Sequence, residues 1–160
     1  MPRIIYTIGH SNLSFMRFIA HIQAHNITHI IDIRSIPYSR HAPWSSKSRL
    51  AELLRPFHIR YTYLGHKLGG KKQSLDAIAK QQGVTSQAMF DNAIQKLLQL
   101  SMHCNLALLC AEADPTYCHR QSILAQTFLD SQVHVLHILK DGTLKEAWRE
   151  ENRPKQLQTA

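Results

Sequence analysis

A chain of 160 residues, 44% of them hydrophobic and 19% charged, is long enough to bury a core without staples and too ordinary in composition to be a disordered or low-complexity polymer. No apolar run approaches the roughly 20 residues a spanning helix needs, and the Ile4-Ile5-Tyr6 stretch is too short for a signal peptide. Three cysteines are an odd number for a secreted disulfide framework, so a cytoplasmic protein with no membrane association is expected.

In chain order, 3–8 (RIIYTI), 28–33 (THIIDI), 59–64 (IRYTYL), 104–110 (CNLALLC) and 133–139 (VHVLHIL) read as strands. Several are continuously apolar, as strands buried on both faces are. Helical spacing falls between them. Phe15, Phe18, Ile19 and Ile22 share a face behind Asn12 and Ser14, either of which can cap. Leu50, Leu53 and Leu54 form a second face, stopped by Pro56, and Phe90, Ala93, Ile94 and Leu97 a third behind Thr85 and Ser86. A fourth helix is expected to begin near Pro115–Tyr117 and to carry Ile123, Leu124 and Phe128. Residues 34–48 and 65–85 read as long polar loops. The alternation predicts a single α/β domain over 1–148, with a mostly parallel five-stranded sheet and helices on both faces. Residues 149–160 read as a polar tail.

Nineteen Lys and Arg against eleven Asp and Glu leave a formal charge of +8. Such a balance favours an anionic small molecule or nucleic acid as partner, with a solubilising basic surface as the plain alternative.

Open parallel sheets bind ligands beyond the carboxyl ends of their strands, so chemistry is sought just after each run. The first run enters Gly9-His10-Ser11. Gly9 permits a sharp turn, the amides here can hold an anion, and His10 can act as acid, base or donor. The second run ends in Asp32 and Arg34, followed by Ser39 and Arg40. A buried Asp32 needs a cation, and an arginine so held either presents its fork to phosphate or forms an internal ion pair. The third run leads to Gly65, His66 and Gly69-Gly70-Lys71. Gly65 and Gly70-Lys71 have the spacing of a phosphate-binding loop, but Lys72 stands where a hydroxyl is required. A nucleoside triphosphatase loop is therefore excluded, and a basic loop that meets anions or a merely solvated loop remains. The fifth run passes through His137.

"LLCAEADPTYCHR", residues 108–120, closes the fourth run. Cys118, beside His119 and Arg120 at a helix start, has the setting of a lowered thiol pKa and a usable nucleophile. Glu112 is a partner or an alternative base. Residue 124 is Leu, so the cysteine phosphatase spacing is not met. Cys110, Cys118 and His119 offer zinc three ligands, with His10 or Glu112 needed as a fourth. No cofactor is predicted, zinc at those three residues is the alternative, and structural or oxidisable thiols are the remaining reading of the pair. Cys104 reads as packing.

The ordered set Thr7-Ile8-Gly9-His10-Ser11, then Asp32, Arg34, Pro37, Ser39 and Arg40, then Leu68-Gly69-Gly70, then Cys110, Glu112, Cys118, His119 and Arg120 resembles the bacterial and archaeal family catalogued as domain of unknown function 488. The resemblance runs from Thr7 to about His137. It implies an α/β domain whose marked residues gather in one place, and it carries no assigned activity.

Two functions are expected from the residues. One is a small enzyme, a hydrolase or transferase acting on a phosphorylated, nucleotide or nucleic-acid substrate. In it Gly9, Ser11, Asp32, Arg34, Ser39, Arg40, Gly69, Gly70, Lys71 and Arg120 bind, and His10, Glu112, Cys118 and His119 do the chemistry. The other is a non-catalytic nucleic-acid-binding module, suggested by the charge and by Tyr38, Trp44, Tyr61 and Tyr63 among basic residues.

Overall fold

The structure, a computed structural model, describes residues 3–69 and 72–152. The five expected strands lie in one sheet, with a sixth added. They are β1 (Ile4–Gly9), β2 (His29–Asp32), β3 (Arg60–Tyr63), β4 (Leu106–Cys110), β5 (His134–Ile138) and β6 (Leu144–Glu146). The order is β3-β2-β4-β1-β5-β6, all pairs parallel except β5–β6. The sixth strand is only three residues, LKE, folded back on β5 by the turn that joins Leu139 to Thr143. Three residues are too few to set up a hydrophobic period.

Strand alternation splits the core into two layers. Ile8, Ile30, Ala107, Leu109 and Ile138 face α1 (Phe15–Ala24) and α2 (Lys47–Leu54) through Phe18, Ile19, Ile22, Leu50 and Leu54. Ser14 caps α1 through the Arg17 amide, and Pro56 sits in the 3₁₀ turn Arg55–Phe57 that ends α2. The segment read as a loop over 65–85 holds two helices, α3 (Gly65–Leu68) and α4 (Lys72–Gln81). Its Gly, Lys and Gln content suggested loop, whereas KQSLDAIAKQ is built mostly from good helix formers. Capped by Thr85, α5 (Ser86–Leu100) lies on the opposite face from α1. There Ala93, Ile94 and Leu97 meet Ile5, Ile31, Leu108, Cys110 and Val135.

The fourth expected helix is not a plain α-helix. A 3₁₀ turn at Pro115–Tyr117 is followed by a π-helical stretch, Arg120–Ala125, which runs into α6 (Gln126–Asp130). In the wider turn Arg120, Gln121, Leu124 and Ala125 all face inward. Ile123, expected on the core face, is instead 51% exposed. The tail begins packed: Arg149 pairs with Asp130 at 2.6 Å, and the Glu150 amide donates to Gln126 Oε1. Residues 153–160 lie outside the described set. Among the described residues no helix is long and apolar enough to cross a membrane.

Beneath the π-helical stretch runs a buried polar chain. Gln121 Oε1 can only accept, so His137 donates to it from Nε2 at 2.8 Å, and His137 Nδ1 accepts from the Thr7 hydroxyl at 2.6 Å. Gln121 Nε2 in turn donates to the Trp148 carbonyl at 2.6 Å. Burial, then Arg120 and Lys145, push His137 down to about 3. Between that value and 6.5 the unfolded chain binds more protons than the folded one, so stability falls as the pH drops through this window. The slope from His137 alone reaches up to about 1.4 kcal/mol per pH unit. Urea midpoints measured from pH 7 to pH 4 should fall less steeply for His137→Gln than for the wild type. Equal slopes would contradict the neutral, Nε2-protonated ring.

Candidate functional site

At the carboxyl edge, the β1–β4 ladder continues past the strands: the His10 amide donates to Cys110 and the Ser11 amide to Ala111. This brings the Glu112 backbone over Gly9, where an added Cβ would stand 1.6 Å from the Glu112 carbonyl oxygen. Gly9 is thus required by close approach of two segments. Ser11, at φ 42°, completes the turn. His10 is buried; its Nδ1 hydrogen-bonds the Ser11 carbonyl at 3.0 Å and its Nε2 has no partner. Burial, reinforced by Arg34, lowers its pKa and leaves the ring neutral.

The end of β2 is an internal ion pair. Arg34 Nε and Nη2 grip the two Asp32 oxygens at 2.9 and 2.7 Å, while Nη1 and Nη2 reach the Ser45 hydroxyl and carbonyl. Tyr61 donates to Asp32 and Tyr63 to the Arg34 carbonyl. With four bonds already made, Arg34 holds the 34–48 loop onto the sheet instead of offering a free fork. Three of the four aromatics suggested as a stacking platform are engaged by the protein itself, since Trp44 Nε1 donates to Leu13; Tyr38 alone of the four is exposed.

Cys110 ends β4 and Cys118 stands at the mouth of the π-helical stretch, its carbonyl accepting the Gln121 and Ser122 amides. The two sulfurs are 3.4 Å apart. The Cys110 hydrogen bond is the largest influence on Cys118 and lowers its pKa well below 9; His119 and the amide and charge of Arg120 add to it. Burial and the same neighbour push Cys110 well up. The two shifts run in opposite directions, so of the pair Cys118 is the sulfur that ionises first. His119 Nδ1 lies 3.8 Å from that sulfur. Arg120 is fully buried; Nη2 donates to the Ala113 carbonyl, and Nε and Nη1 have no partner. Its charge reaches the site through Cys118, because Arg120 is in the wall of neither cavity described next.

Two adjoining cavities open here. The larger, about 370 Å³, is walled by Ser35, Tyr38, Cys110, Glu112, Cys118 and His119 among others. The smaller, about 300 Å³, is walled by His10, Ser11, Asn12, Ser39, His41 and Glu112. Ala111 and Glu112 belong to both. The structure thus gathers His10, Ser11, Arg34, Ser39, Glu112, Cys118 and His119 around one cleft, Arg34 standing in the wall of the larger cavity while its guanidinium is tied to Asp32 and Ser45. Arg40 is exposed and lines neither cavity. Gly69 is buried, where a Cβ would meet Ser35 Oγ at 2.3 Å, so its smallness serves packing. Gly70 and Lys71 lie outside the described residues. Ser45, Tyr61 and Gln121 support the site without having been singled out for it; no local pattern marks a residue that acts by holding another.

Cys110, Cys118 and His119 present one ligand atom each within 4.8 Å of one another. A soft cation would fit three such donors, but the unneutralised Arg120 guanidinium beside them favours a thiolate over a bound cation.

Comparisons with curated proteins and with solved structures each returned no match. The family described as "Domain of unknown function DUF488" matches residues 14–127, which include Asp32, Arg34, Cys110, Glu112, Cys118, His119 and Arg120 and exclude Gly9, His10 and Ser11. That match covers well over half of the 160 residues, and the chain belongs to this family.

Proposed function

We propose that the protein is a small cytoplasmic enzyme, a transferase or hydrolase that attacks a phosphorylated, nucleotide or nucleic-acid substrate with the Cys118 thiolate. The observation that carries this reading is a cysteine in the wall of a cleft, its sulfur 3.4 Å from a second thiol and 3.8 Å from a histidine nitrogen, with the hydrogen bond from Cys110, His119 and Arg120 all lowering its pKa. A thiolate at neutral pH is a nucleophile without further activation. In this reading, attack forms a covalent bond to Cys118 and expels the leaving oxygen, which takes a proton from His119 or solvent. Neutral His10, with its open Nε2, then takes a proton from the water or acceptor that releases the group. Glu112, common to both cavities, orients that acceptor. The +8 charge draws anions toward the cleft.

Turnover screened over phosphorylated metabolites, nucleotides and oligonucleotides tests the proposal. With a substrate in hand, Cys118→Ser should lower kcat on the order of 10³-fold or more, the scale of losing a nucleophile. Cys104→Ser, at the far end of β4, should leave it unchanged. Full turnover by Cys118→Ser would overturn the reading. Salt-sensitive oligonucleotide binding with no turnover on any substrate would replace it with the binding module.

A further inference from the structure

The thiol that stabilises the Cys118 thiolate is also placed to react with it. Cys110 and Cys118 lie in the same buried layer, eight residues apart, and their sulfurs are separated by 3.4 Å. Closing that gap to the roughly 2.05 Å of a disulfide needs a movement of about 1.4 Å, within reach of a side-chain rotation. No element lies between them in the chain except the short turn Pro115–Tyr117. Cys104, the third cysteine, sits before β4 at the opposite edge and bonds to the Leu100 carbonyl. It therefore cannot compete for either partner. The cavity at Cys118 admits a small reactant, and the sulfur forms part of its wall.

We propose that Cys118 is an oxidation site for hydroperoxides and that Cys110 resolves the product as an intramolecular disulfide, so that the nucleophile is switched off reversibly. The inference rests on the reading of Cys118 as the reactive thiolate of the cleft. In the first step the Cys118 sulfur attacks the outer oxygen of a hydroperoxide. The O–O bond breaks, the leaving alkoxide or hydroxide takes a proton from solvent and departs as alcohol or water, and Cys118 becomes a sulfenic acid, oxidised by two electrons while the peroxide is reduced. In the second step the Cys110 sulfur attacks that of Cys118. The S–S bond forms as the S–O bond breaks, and the Cys110 proton leaves with the hydroxide as water. An external dithiol reverses the change by thiol–disulfide exchange and is itself oxidised to its disulfide. One feature favours this sequence over arrest at the sulfenic acid: the resolving sulfur of Cys110 is already in contact with that of Cys118.

The test is treatment of the full chain with dilute hydrogen peroxide at neutral pH, followed by intact mass, thiol counting and peptide mapping. The expected product has lost two hydrogens and two of its three thiols, carries a Cys110–Cys118 link, and is restored by dithiothreitol. Cys118 should be consumed at least about tenfold faster than Cys104. Cys110→Ala should instead accumulate a sulfenic acid at Cys118 that dimedone traps, and Cys104→Ser should behave as the wild type. Advance of wild-type Cys118 to sulfinic acid with Cys110 still free would overturn the proposal. So would oxidation that begins only after a zinc chelator is added, which would assign the pair to a metal. Failure of the catalytic reading is separately visible, as turnover surviving in Cys118→Ser while the disulfide still forms in the wild type.

Discussion

Arg34→Met is expected to destabilise the protein by about 3–5 kcal/mol, the scale of breaking a buried ion pair from one side. Asp32 is fully buried and Arg34 4% exposed, so removing the guanidinium strands a carboxylate whose remaining side-chain partner is the Tyr61 hydroxyl. The Ser45 hydroxyl and carbonyl lose a donor at the same time, and with them the 34–48 loop loses its tie to the sheet. Urea unfolding followed by circular dichroism measures the loss. The double variant Asp32→Asn, Arg34→Met should be more stable than Arg34→Met alone, because the stranded charge is gone. A cost below about 1 kcal/mol for the single variant would mean that the pair is not internal in solution, and would return Arg34 to the candidates for ligand contact.

Gly9→Ala is expected to cost at least about 3 kcal/mol, beyond most overpacking substitutions, because the new methyl meets backbone that cannot rotate away. The obstruction is the Glu112 carbonyl group, its oxygen 1.6 Å and its carbon 2.3 Å from the added Cβ. Relief requires the segment from Cys110 to Ala113 to lift, and that segment carries the donor to Cys118 and the acid shared by both cavities. A thermal melt should therefore fall together with the rate of Cys118 alkylation by iodoacetamide at neutral pH. A variant with wild-type melting and wild-type alkylation would show that β1 and the 110–113 segment do not approach so closely.

How far the sequence reveals the fold depends on whether a residue's role is local. The central strands β2 and β4 are buried at every position, β1 and β5 at most of theirs, and their apolar content announces them, while β3 follows from IRYTYL. The strand β6 exists only because β5 offers an edge, so LKE alone says nothing. The strand-end rule places His10, Glu112, Cys118 and His119 at one edge of the sheet, because topology alone decides it. Arg34 is different. Two of its four side-chain bonds go to Asp32 and two to Ser45, eleven residues away in a serine-rich stretch with no period, so the second half of its internal role is not legible locally. Ile123 misled for a related reason: an α-helical spacing was applied where the helix widens.

The position of β1 has a consequence for how the chain comes into being. β1 lies between β4 and β5, and its first ladder partner, Tyr6 with Ala107, is 101 residues away (107 − 6). Thr7 and His137 are separated by 130. During synthesis, at about 5–20 residues per second, β1 waits roughly 5–20 s before β4 exists to pair with it. Until then β1 and β2 have no ladder with each other, because the strand that joins them is the one not yet made. Once Tyr63 is made β2 has β3 to pair with, but β1 has no strand to join until β4 appears. β4, which ends in Cys110, is the strand that joins β1 to the β2–β3 pair, so the stretch that links the two halves of the sheet also delivers the cysteine pair, and β5 and β6 are added afterwards.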